Sequence, residues 1–293
     1  MQVFELKNRM IDDYSTYLRS FIKIRDAKIR DEVEQYLNEG NLWPEALIQL
    51  NPAFEPGGYI EDLIQKGLLH PECSNIFRIH KKEYPPGVPI RLHHHQLDAI
   101  EAARANKNYV LTTGTGSGKS LAYVIPIVDY VLRQGSGQGI KAIIIYPMNA
   151  LVNSQENELR KFLCEGYPNE QGPVTFRTYT GQNDEATREE IRANPPDILL
   201  TNYMMMELLL TRDADHAIID SASNLKYLVL DELHTYRGRQ GADVAMMTRR
   251  LRHLCGKNQL RCIGTSATLA GEGAYNEQRE EVAKVATMLF GST

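Results

Sequence analysis

Apolar and polar positions alternate regularly from residue 91 onward, where short apolar runs are separated by stretches with helical spacing. The runs are rich in β-branched residues and almost free of polar positions, as in strands that are covered on both faces. The strand candidates are 109–112, 142–146, 174–179, 198–201, 227–230 and 262–265. Because helices between parallel strands make right-handed crossovers, the pattern predicts a three-layer α/β domain around a mostly parallel sheet. Such sheets bind ligands at the carboxyl ends of their strands.

The first part of the chain follows a different pattern. Apolar residues recur at helical spacing among charged residues from Met10 to Ile22 and again from Ile29 to Leu37, which predicts two helices or one helix bent near Asp26. The sequence YPPGVP at 84–89 then forms a proline-rich joint. We therefore predict a small helical accessory domain at 1–84 and a larger α/β domain at 85–293.

Composition and charge narrow the classes of function only slightly. The 293 residues include 33 Lys and Arg against 37 Asp and Glu, so no global basic field attracts nucleic acid and any such binding has to come from local groups. The start of the chain lacks the regions of a signal peptide, and no uncharged stretch approaches membrane-spanning length. A cytoplasmic protein without membrane contact is expected. Four scattered cysteines without a CxxC pair argue against a disulfide framework and a zinc module.

A glycine-rich segment, TTGTGSGKS, follows the first strand candidate. Glycines allow the backbone to curl so that N–H groups point at phosphate oxygens, at the start of a helix whose dipole favours anions. Lys119 would reach the β- and γ-phosphates, and the hydroxyl of Ser120 would ligate Mg²⁺. The pattern GxxxxGK[ST] is met except at its first position, where Thr113 stands. The segment predicts a site for ATP and Mg²⁺, enclosed by Thr113, Gly114, Thr115, Gly116, Ser117, Gly118, Lys119 and Ser120.

An acidic pair follows the strand candidate at 227–230. Asp231 is expected to hold the magnesium shell, and Glu232 is expected to orient and deprotonate the attacking water. Such a pair is common after an apolar run, where it usually marks a strand that ends in solvent. The pair indicates a nucleotide site only in combination with the phosphate-binding segment upstream. Together they predict ATP hydrolysis with Lys119, Asp231 and Glu232 as catalytic residues.

Four longer segments occur in a fixed order: YVLTTGTGSGKS, IIIYPMNALVNSQ, LVLDELHTYRG and GTSATL. TGQ at Thr180 and LLTNYMM at Leu199 lie between the second and the third. This ordered set resembles the motifs of the superfamily 2 DExH-box helicases. DELHTYRG followed by GADVAMMTRRLRHLC most resembles the bacterial and fungal DNA-repair helicases with a C-terminal zinc-binding domain, and modules of large phage-defence helicases.

The resemblance implies a RecA-like domain that drives movement along one DNA strand, in the 3′ to 5′ sense, with duplex separation as the outcome. In LHHHQLDAI, Gln96 is placed like the glutamine that reads adenine. His234, Ser266 and Thr268 are placed like the residues that couple the γ-phosphate to the bound strand, and His234 joins the catalytic set. The implied nucleic-acid contacts, for which loop polarity and helix capping are the alternative explanation, are Asn149, Gln155, Gly181, Gln182, Thr201 and Asn202.

The same resemblance implies partners. The family works with a second RecA-like domain whose arginines reach across the cleft, and no segment here corresponds to it. We therefore expect that domain in the full-length protein, with repair or defence proteins as further partners. Because a missing arginine can cost about 10³-fold in turnover, the isolated chain is expected to bind ATP and hydrolyse it barely.

Other functions remain open at this stage. An RNA helicase would carry the same motifs. An ATP-dependent binding switch would use the same site without moving along a strand. A phosphotransferase is a third alternative, although the sequence shows no acceptor site for it.

Overall fold

The computed structural model describes residues 3–21, 23–43, 54–114, 116–255, 260–266 and 275–292. The helices are α1 (Val3–Phe21), α2 (Ala27–Tyr36), α3 (Ile60–Gln65), α4 (Cys73–Ile76), α5 (His94–Arg104), α6 (Lys119–Gln134), α7 (Asn149–Leu163), α8 (Glu185–Ala193), α9 (Tyr203–Leu209), α10 (His216–Ser221), α11 (Gly238–Leu254) and α12 (Tyr275–Phe290). The strands are β1 (Pro56–Tyr59), β2 (Arg78–Ile79), β3 (Val88–Pro89), β4 (Arg91–His93), β5 (Tyr109–Leu111), β6 (Ala142–Tyr146), β7 (Phe176–Thr178), β8 (Ile198–Asn202), β9 (Tyr227–Leu230) and β10 (Arg261–Thr265).

The central sheet has six strands in the order β5-β10-β9-β6-β8-β7, and every neighbouring pair is parallel. All six strands were predicted from the sequence, and β6 and β9 have the predicted bounds. Because the strands are parallel, the loops that follow them meet at one edge of the sheet. The predicted α/β class and parallel sheet are therefore confirmed.

Helices cover both faces of this sheet, which explains the near-continuous apolarity of its strands. Ile144 of β6 packs toward α5, α6 and α7 in one apolar cluster. Its neighbours Ile143 and Ile145 point to the other face, where they pack with residues of α8 to α12. The three layers thus bury both faces of each strand.

The chain divides into two compact units, Met1–Ala53 and Phe54–Thr293. The first contains α1 and α2, as the helical spacing predicts, and Asp26 caps α2 by accepting a hydrogen bond from the backbone N–H of Ile29 at 3.1 Å.

The division lies upstream of the boundary predicted at residue 84. Residues 54–84 belong to the second unit because their apolar side chains enter its core: Leu63, Cys73 and Phe77 are buried in the same cluster as α6. Two short antiparallel ribbons, β1 with β4 and β2 with β3, connect this segment to residues 88–93. The proline-rich joint is therefore a turn within the second unit.

Among the described residues, none of the helices combines the length and the apolar composition that a membrane span requires.

Candidate nucleotide-binding site

The phosphate-binding segment lies between β5 and α6, at the carboxyl edge of the sheet. Gly116 and Gly118 have φ of 77° and 70°, the left-handed region that glycine adopts without strain. A Cβ at Gly118 would also lie 2.7 Å from Nε2 of Gln96. α6 begins at Lys119, so its unpaired N–H groups and positive dipole end face this loop.

Thr113, which departs from the strict pattern, has a role in the loop itself. Its hydroxyl lies 2.7 Å from that of Ser117, which is buried, so the two residues hold the ends of the curl together. Nζ of Lys119 donates to the carbonyl oxygens of Thr113 at 3.0 Å and Gly114 at 3.4 Å, which places the ammonium group over the loop. Thr115 lies outside the described residues.

The side chain of Gln96 packs against the phosphate-binding loop and bonds to it. Its side chain is buried; Oε1 accepts from the N–H of His93 at 2.8 Å, and Nε2 donates to the carbonyl of Gly118 at 2.8 Å. One ring nitrogen of His95 lies 3.0 Å from the carbonyl oxygen of Ser117. The structure therefore places Gln96 against the phosphate-binding loop, where its amide caps α5 and holds Gly118.

Ser120, the expected metal ligand, donates a hydrogen bond from Oγ to Oε1 of Gln155 at 2.9 Å. Gln155 lies on α7 and was assigned to nucleic acid from the sequence. The structure places its side chain against Ser120, because it lies less than two turns into α7 and beside the start of α6.

The acidic pair lies where β9 ends, beside the end of β10. The hydroxyl of Thr265 donates to Oδ1 of Asp231 and accepts from the backbone N–H of Glu232 at 3.0 Å. Burial raises the pKa of the Asp231 carboxyl, and the charge of Glu232 raises it further. The Thr265 hydrogen bond and the ammonium of Lys119 lower it. Lys119 is thus close enough to act on Asp231, as one shared site requires.

Glu232 has an unusual backbone conformation and a carboxylate oxygen that accepts no hydrogen bond from the described residues. Its φ and ψ of 53° and 57° lie in the left-handed region, which costs a residue with a Cβ about 1–2 kcal/mol. Oε2 is buried and accepts no hydrogen bond from the described residues, although Nδ1 of His234 lies 3.3 Å away. Strain and an unpaired buried carboxylate oxygen are features that concentrate at functional sites.

His234 connects this pair to the segment after β10. Its Nδ1 also lies 3.3 Å from the hydroxyl of Ser266, which is buried, and the backbone N–H of Ser266 donates to the carbonyl of Leu111 at 2.8 Å. Ser266 is therefore placed between β5 and the acidic pair. Thr268, the other predicted coupling residue, lies outside the described residues.

Three buried tyrosines lie close enough to Asp231 to feel its charge, and the sequence did not predict them. The hydroxyls of Tyr123 and Tyr146 lie 3.3 Å apart. Burial raises the pKa of Tyr123, Tyr146 and Tyr236, and the Asp231 charge raises each of them further. Helical spacing could have predicted Tyr123, because it follows Ser120 by three residues on α6 and so lies on the same face of the helix.

A second polar cluster lies farther along the same edge. Nδ2 of Asn202 donates to Oδ1 of Asn149 at 2.6 Å, while Oδ1 of Asn202 caps α9. Nδ2 of Asn153 donates to Oε1 of Gln182 at 3.2 Å. Asn153 is exposed and was not predicted, although it follows Asn149 by one helical turn.

The other two predicted strand contacts differ in exposure. Gly181 is exposed on its loop. Thr201 is fully buried, and its hydroxyl donates to the carbonyl of Tyr179 at 2.6 Å. Its side chain is used inside the sheet, so the structure does not bring it to the surface with Asn149, Gln182 and Asn202.

Gly264 of β10 lies directly behind the acidic pair. A Cβ at this position would collide with the side chain of Leu233 and lie 3.2 Å from Cζ of Phe290. Leu233 follows Glu232 in the chain, and Phe290 belongs to α12. The absence of a side chain at 264 thus lets the acidic segment and α12 pack on the same strand.

A phosphate-binding loop at the start of α6, a lysine over it and an acidic pair two strands away define a P-loop nucleotide-binding domain of the RecA-like class. The sequence of residues 93–276 matches the DEAD/DEAH box helicase family. The chain belongs to this family.

Two relatives match this chain in sequence over most of its length. The chain is 31% identical over 191 residues to the uncharacterized ATP-dependent helicase YprA of Bacillus subtilis, which covers 64% of this chain and 24% of that protein. It is 26% identical to the Druantia protein DruE of Escherichia coli, covering 86% of this chain and 20% of that protein. The chain therefore spans about a quarter or less of the length of these relatives.

Solved structures agree with this assignment. The helicase MrfA bound to DNA matches 82% of this chain and 28% of its own, with a TM-score of 0.63 and 25% identity. The Mycobacterium smegmatis helicase Lhr bound to ssDNA and AMP-PNP matches 66% of this chain and 24% of its own, with a TM-score of 0.54 and 28% identity.

Proposed function

We propose that this chain is the ATP-binding part of a helicase that moves along DNA. The observation that supports it most directly is the geometry around Lys119 and Asp231: the glycine loop, the lysine and the acidic pair share one edge of the sheet, and the charge of Lys119 acts on Asp231. Membership of the family makes ATP the expected nucleotide. Because the chain spans only about a quarter or less of the length of these relatives, we assign movement and duplex separation to the whole protein.

The proposed nucleotide site uses residues in separate roles. Backbone N–H groups of the loop 113–118 and the ammonium of Lys119 would hold the phosphates, and Glu232 would accept a proton from the attacking water. Gln96 would read adenine as the resemblance implies, from the position where it supports Gly118. His234 and Ser266, with Thr268, would couple the γ-phosphate to the strand.

The residues also fit Mg²⁺. The hydroxyl of Ser120 and the carboxylate of Asp231 are the hard oxygen ligands that this ion prefers, and Glu232 adds a buried oxygen without a hydrogen bond from the described residues. Bound there, Mg²⁺ would neutralise charge on the β- and γ-phosphates. Ser120 and Asp231 would hold it directly.

For the strand, we propose the surface formed by Asn149, Gly181, Gln182 and Asn202. These groups are small and polar and suit contacts to a phosphate backbone that do not read bases. DNA is favoured over RNA because the structures at 25% and 28% identity are of helicases bound to DNA and to ssDNA. Movement in the 3′ to 5′ sense and repair or defence partners are proposed on the resemblance alone.

Nucleotide titrations test this function. Binding of a fluorescent ATP analogue with Mg²⁺ should weaken roughly tenfold to a hundredfold in Lys119→Ala, because charge-assisted hydrogen bonds to the phosphates are lost. Glu232→Gln should bind within about twofold of the wild type, since its role is assigned to the hydrolytic water.

Lys161→Ala is the matched control, because Lys161 is an exposed lysine of α7 that pairs with Glu158. It should bind like the wild type. Equal losses in Lys119→Ala and Glu232→Gln would contradict the assigned roles, and a wild-type chain that binds no nucleotide would refute the function.

A further inference from the structure

The hydrogen bond between Ser120 and Gln155 joins the nucleotide site to a different motif. Ser120 is the second residue of α6, whereas Gln155 is 35 residues later on α7. The bond is partly buried, at 2.9 Å, and its direction is defined because a glutamine Oε1 only accepts.

The direction of this bond determines what Ser120 can offer to a cation. A serine hydroxyl has one hydrogen and two acceptor lone pairs. With the hydrogen directed at Gln155, the lone pairs point away from α7, and the oxygen can ligate a metal without first rotating. A hydroxyl that rotates freely has to be ordered when the metal binds.

We propose that Gln155 is a positioning residue that orients the Ser120 hydroxyl for the divalent cation and so connects the cation site to α7. The inference rests on the proposed ATP and Mg²⁺ site. It replaces the expected contact between Gln155 and nucleic acid.

The contacts of α7 near its start give this connection a functional meaning. The helix begins at Asn149, which bonds Asn202, and one turn later Asn153 bonds Gln182. Val152 and Leu159 are buried in the core, so the helix is packed as one rigid element. A single helix therefore touches both the cation ligand and the proposed strand surface.

Coupling between two such sites is reciprocal: if the metal–nucleotide complex changes affinity for the strand, the strand changes affinity for the complex by the same factor. Gln155 provides the link through which α7 responds to the cation. Removing the link should reduce that factor while both sites remain present.

The primary experiment uses Mn²⁺ as a spectroscopic substitute for Mg²⁺. Affinity of the ADP-bound chain for Mn²⁺ is measured by electron paramagnetic resonance in the wild type, Gln155→Leu and Gln155→Glu. Gln155→Leu should weaken Mn²⁺ binding roughly three- to tenfold, the scale of one lost hydrogen bond. Gln155→Glu keeps an accepting oxygen and should restore binding to the wild-type level or above. Affinity for ADP in the presence of EDTA should stay within about twofold in all three.

Asn157→Leu is the matched control, because it makes the same kind of change at an exposed position of α7. It should leave Mn²⁺ affinity unchanged. A double-mutant cycle with Ser120→Ala then separates orientation from general loss of structure. If Gln155 acts through Ser120, Gln155→Leu has no further effect in the Ser120→Ala background; an additive loss in the double variant overturns the proposal.

The coupling is measured as the change in affinity for single-stranded DNA when Mg²⁺ and ADP are added. This factor should fall toward one in Gln155→Leu and remain at the wild-type value in Asn157→Leu. Unchanged Mn²⁺ affinity in Gln155→Leu overturns the proposal even if the wild type binds ADP and Mn²⁺ normally. A wild type that binds neither refutes the proposed function itself, so the two failures are distinguishable.

Discussion

Thr265 organises the acidic pair through a single hydroxyl. It donates to Asp231 and accepts from the backbone N–H of Glu232, and it is fully buried at the end of β10. The second bond helps to hold Glu232 in its left-handed conformation. One side chain therefore fixes the carboxylate proposed for the metal and the backbone of the residue proposed for the water.

Replacing Thr265 by Val should impair hydrolysis in a protein that also contains the second RecA-like domain. Valine keeps the shape and loses both hydrogen bonds, one of them to a charged group. We expect kcat to fall roughly tenfold to a hundredfold, with ADP affinity in EDTA unchanged. Steady-state kinetics with single-stranded DNA measure the first quantity.

Thr265→Ser retains the hydroxyl and should recover most of the activity. If the serine variant is as impaired as the valine variant, the packing of the threonine methyl group matters and the hydrogen bonds do not.

The sequence predicted the positions of the residues proposed for the nucleotide site better than those of the residues around them. Lys119, Ser120 and Asp231 were predictable because their spacing and the strands before them restrict where they can lie. Gln155 and Thr201 were not, because the direction of a side chain depends on which helix or strand packs against it. In both cases another group of the protein, the Ser120 hydroxyl or the carbonyl of Tyr179, bonds to the polar side chain.

At the scale of elements, the six strands were predictable because each is apolar on both faces and follows a helix. The packing of residues 54–84 was not. The sequence assigned them to the helical accessory domain, yet Leu63 and Phe77 fill the core beside α6. A contact between segments this far apart in the chain leaves no local pattern in the sequence.

Asp197 joins three elements just before β8. Its fully buried carboxylate accepts hydrogen bonds from Ser136 and Gly137, after α6, at 2.6 and 2.8 Å, and from the backbone and hydroxyl of Thr175, before β7, each at 2.8 Å. Replacing it by Ala removes a fully buried acceptor of four hydrogen bonds, although the donor residues Ser136, Gly137 and Thr175 are themselves exposed. We expect a loss of about 3 kcal/mol or more in the free energy of unfolding, measured by urea titration.

Asp184→Ala provides the comparison for that measurement. It removes a carboxylate that caps α8 at the surface, where water can replace it, so its cost should be much smaller. Similar losses in the two variants would show that Asp197 does not connect these elements energetically.

For the molecule as a whole, buried thiols and phenols make stability sensitive to alkaline pH. Burial raises the pKa of Cys73 and Tyr179 to about 12 and that of Cys255 and Cys262 to about 11, against ordinary values of 9.0 and 10.0. Above about pH 9 the unfolded chain loses protons that the folded chain keeps. The free energy of unfolding should therefore fall as the pH rises above about 9. Below about pH 9 these thiols and phenols stay protonated in both states and should have no effect on it.

Two lysines, one buried and one half-buried, act in the opposite sense. Burial lowers the pKa of Lys81 to about 8 and also lowers that of Lys226, so the folded chain releases these protons first and gains stability as the pH rises. Because the thiols and phenols with raised pKa outnumber these two lysines, their effect on stability should dominate. The urea midpoint under reducing conditions should therefore be lower at about pH 10.5 than at about pH 8. Tyr227→Phe, which removes one buried phenol, should reduce the difference; equal midpoints at both pH values would contradict the prediction.

Gly264 carries no charge and no polar side chain, yet the packing behind the acidic pair depends on its lack of a side chain. One added methyl group would push on Leu233, the residue next to Glu232, and on Phe290 of α12. In a survey of natural variants, an alanine at 264 would pass as a conservative change far from any chemistry. The crowding predicts that this substitution is disabling. A shift of Leu233 would move the neighbouring Glu232, whose position therefore depends on the space at 264 as well as on its hydrogen bonds.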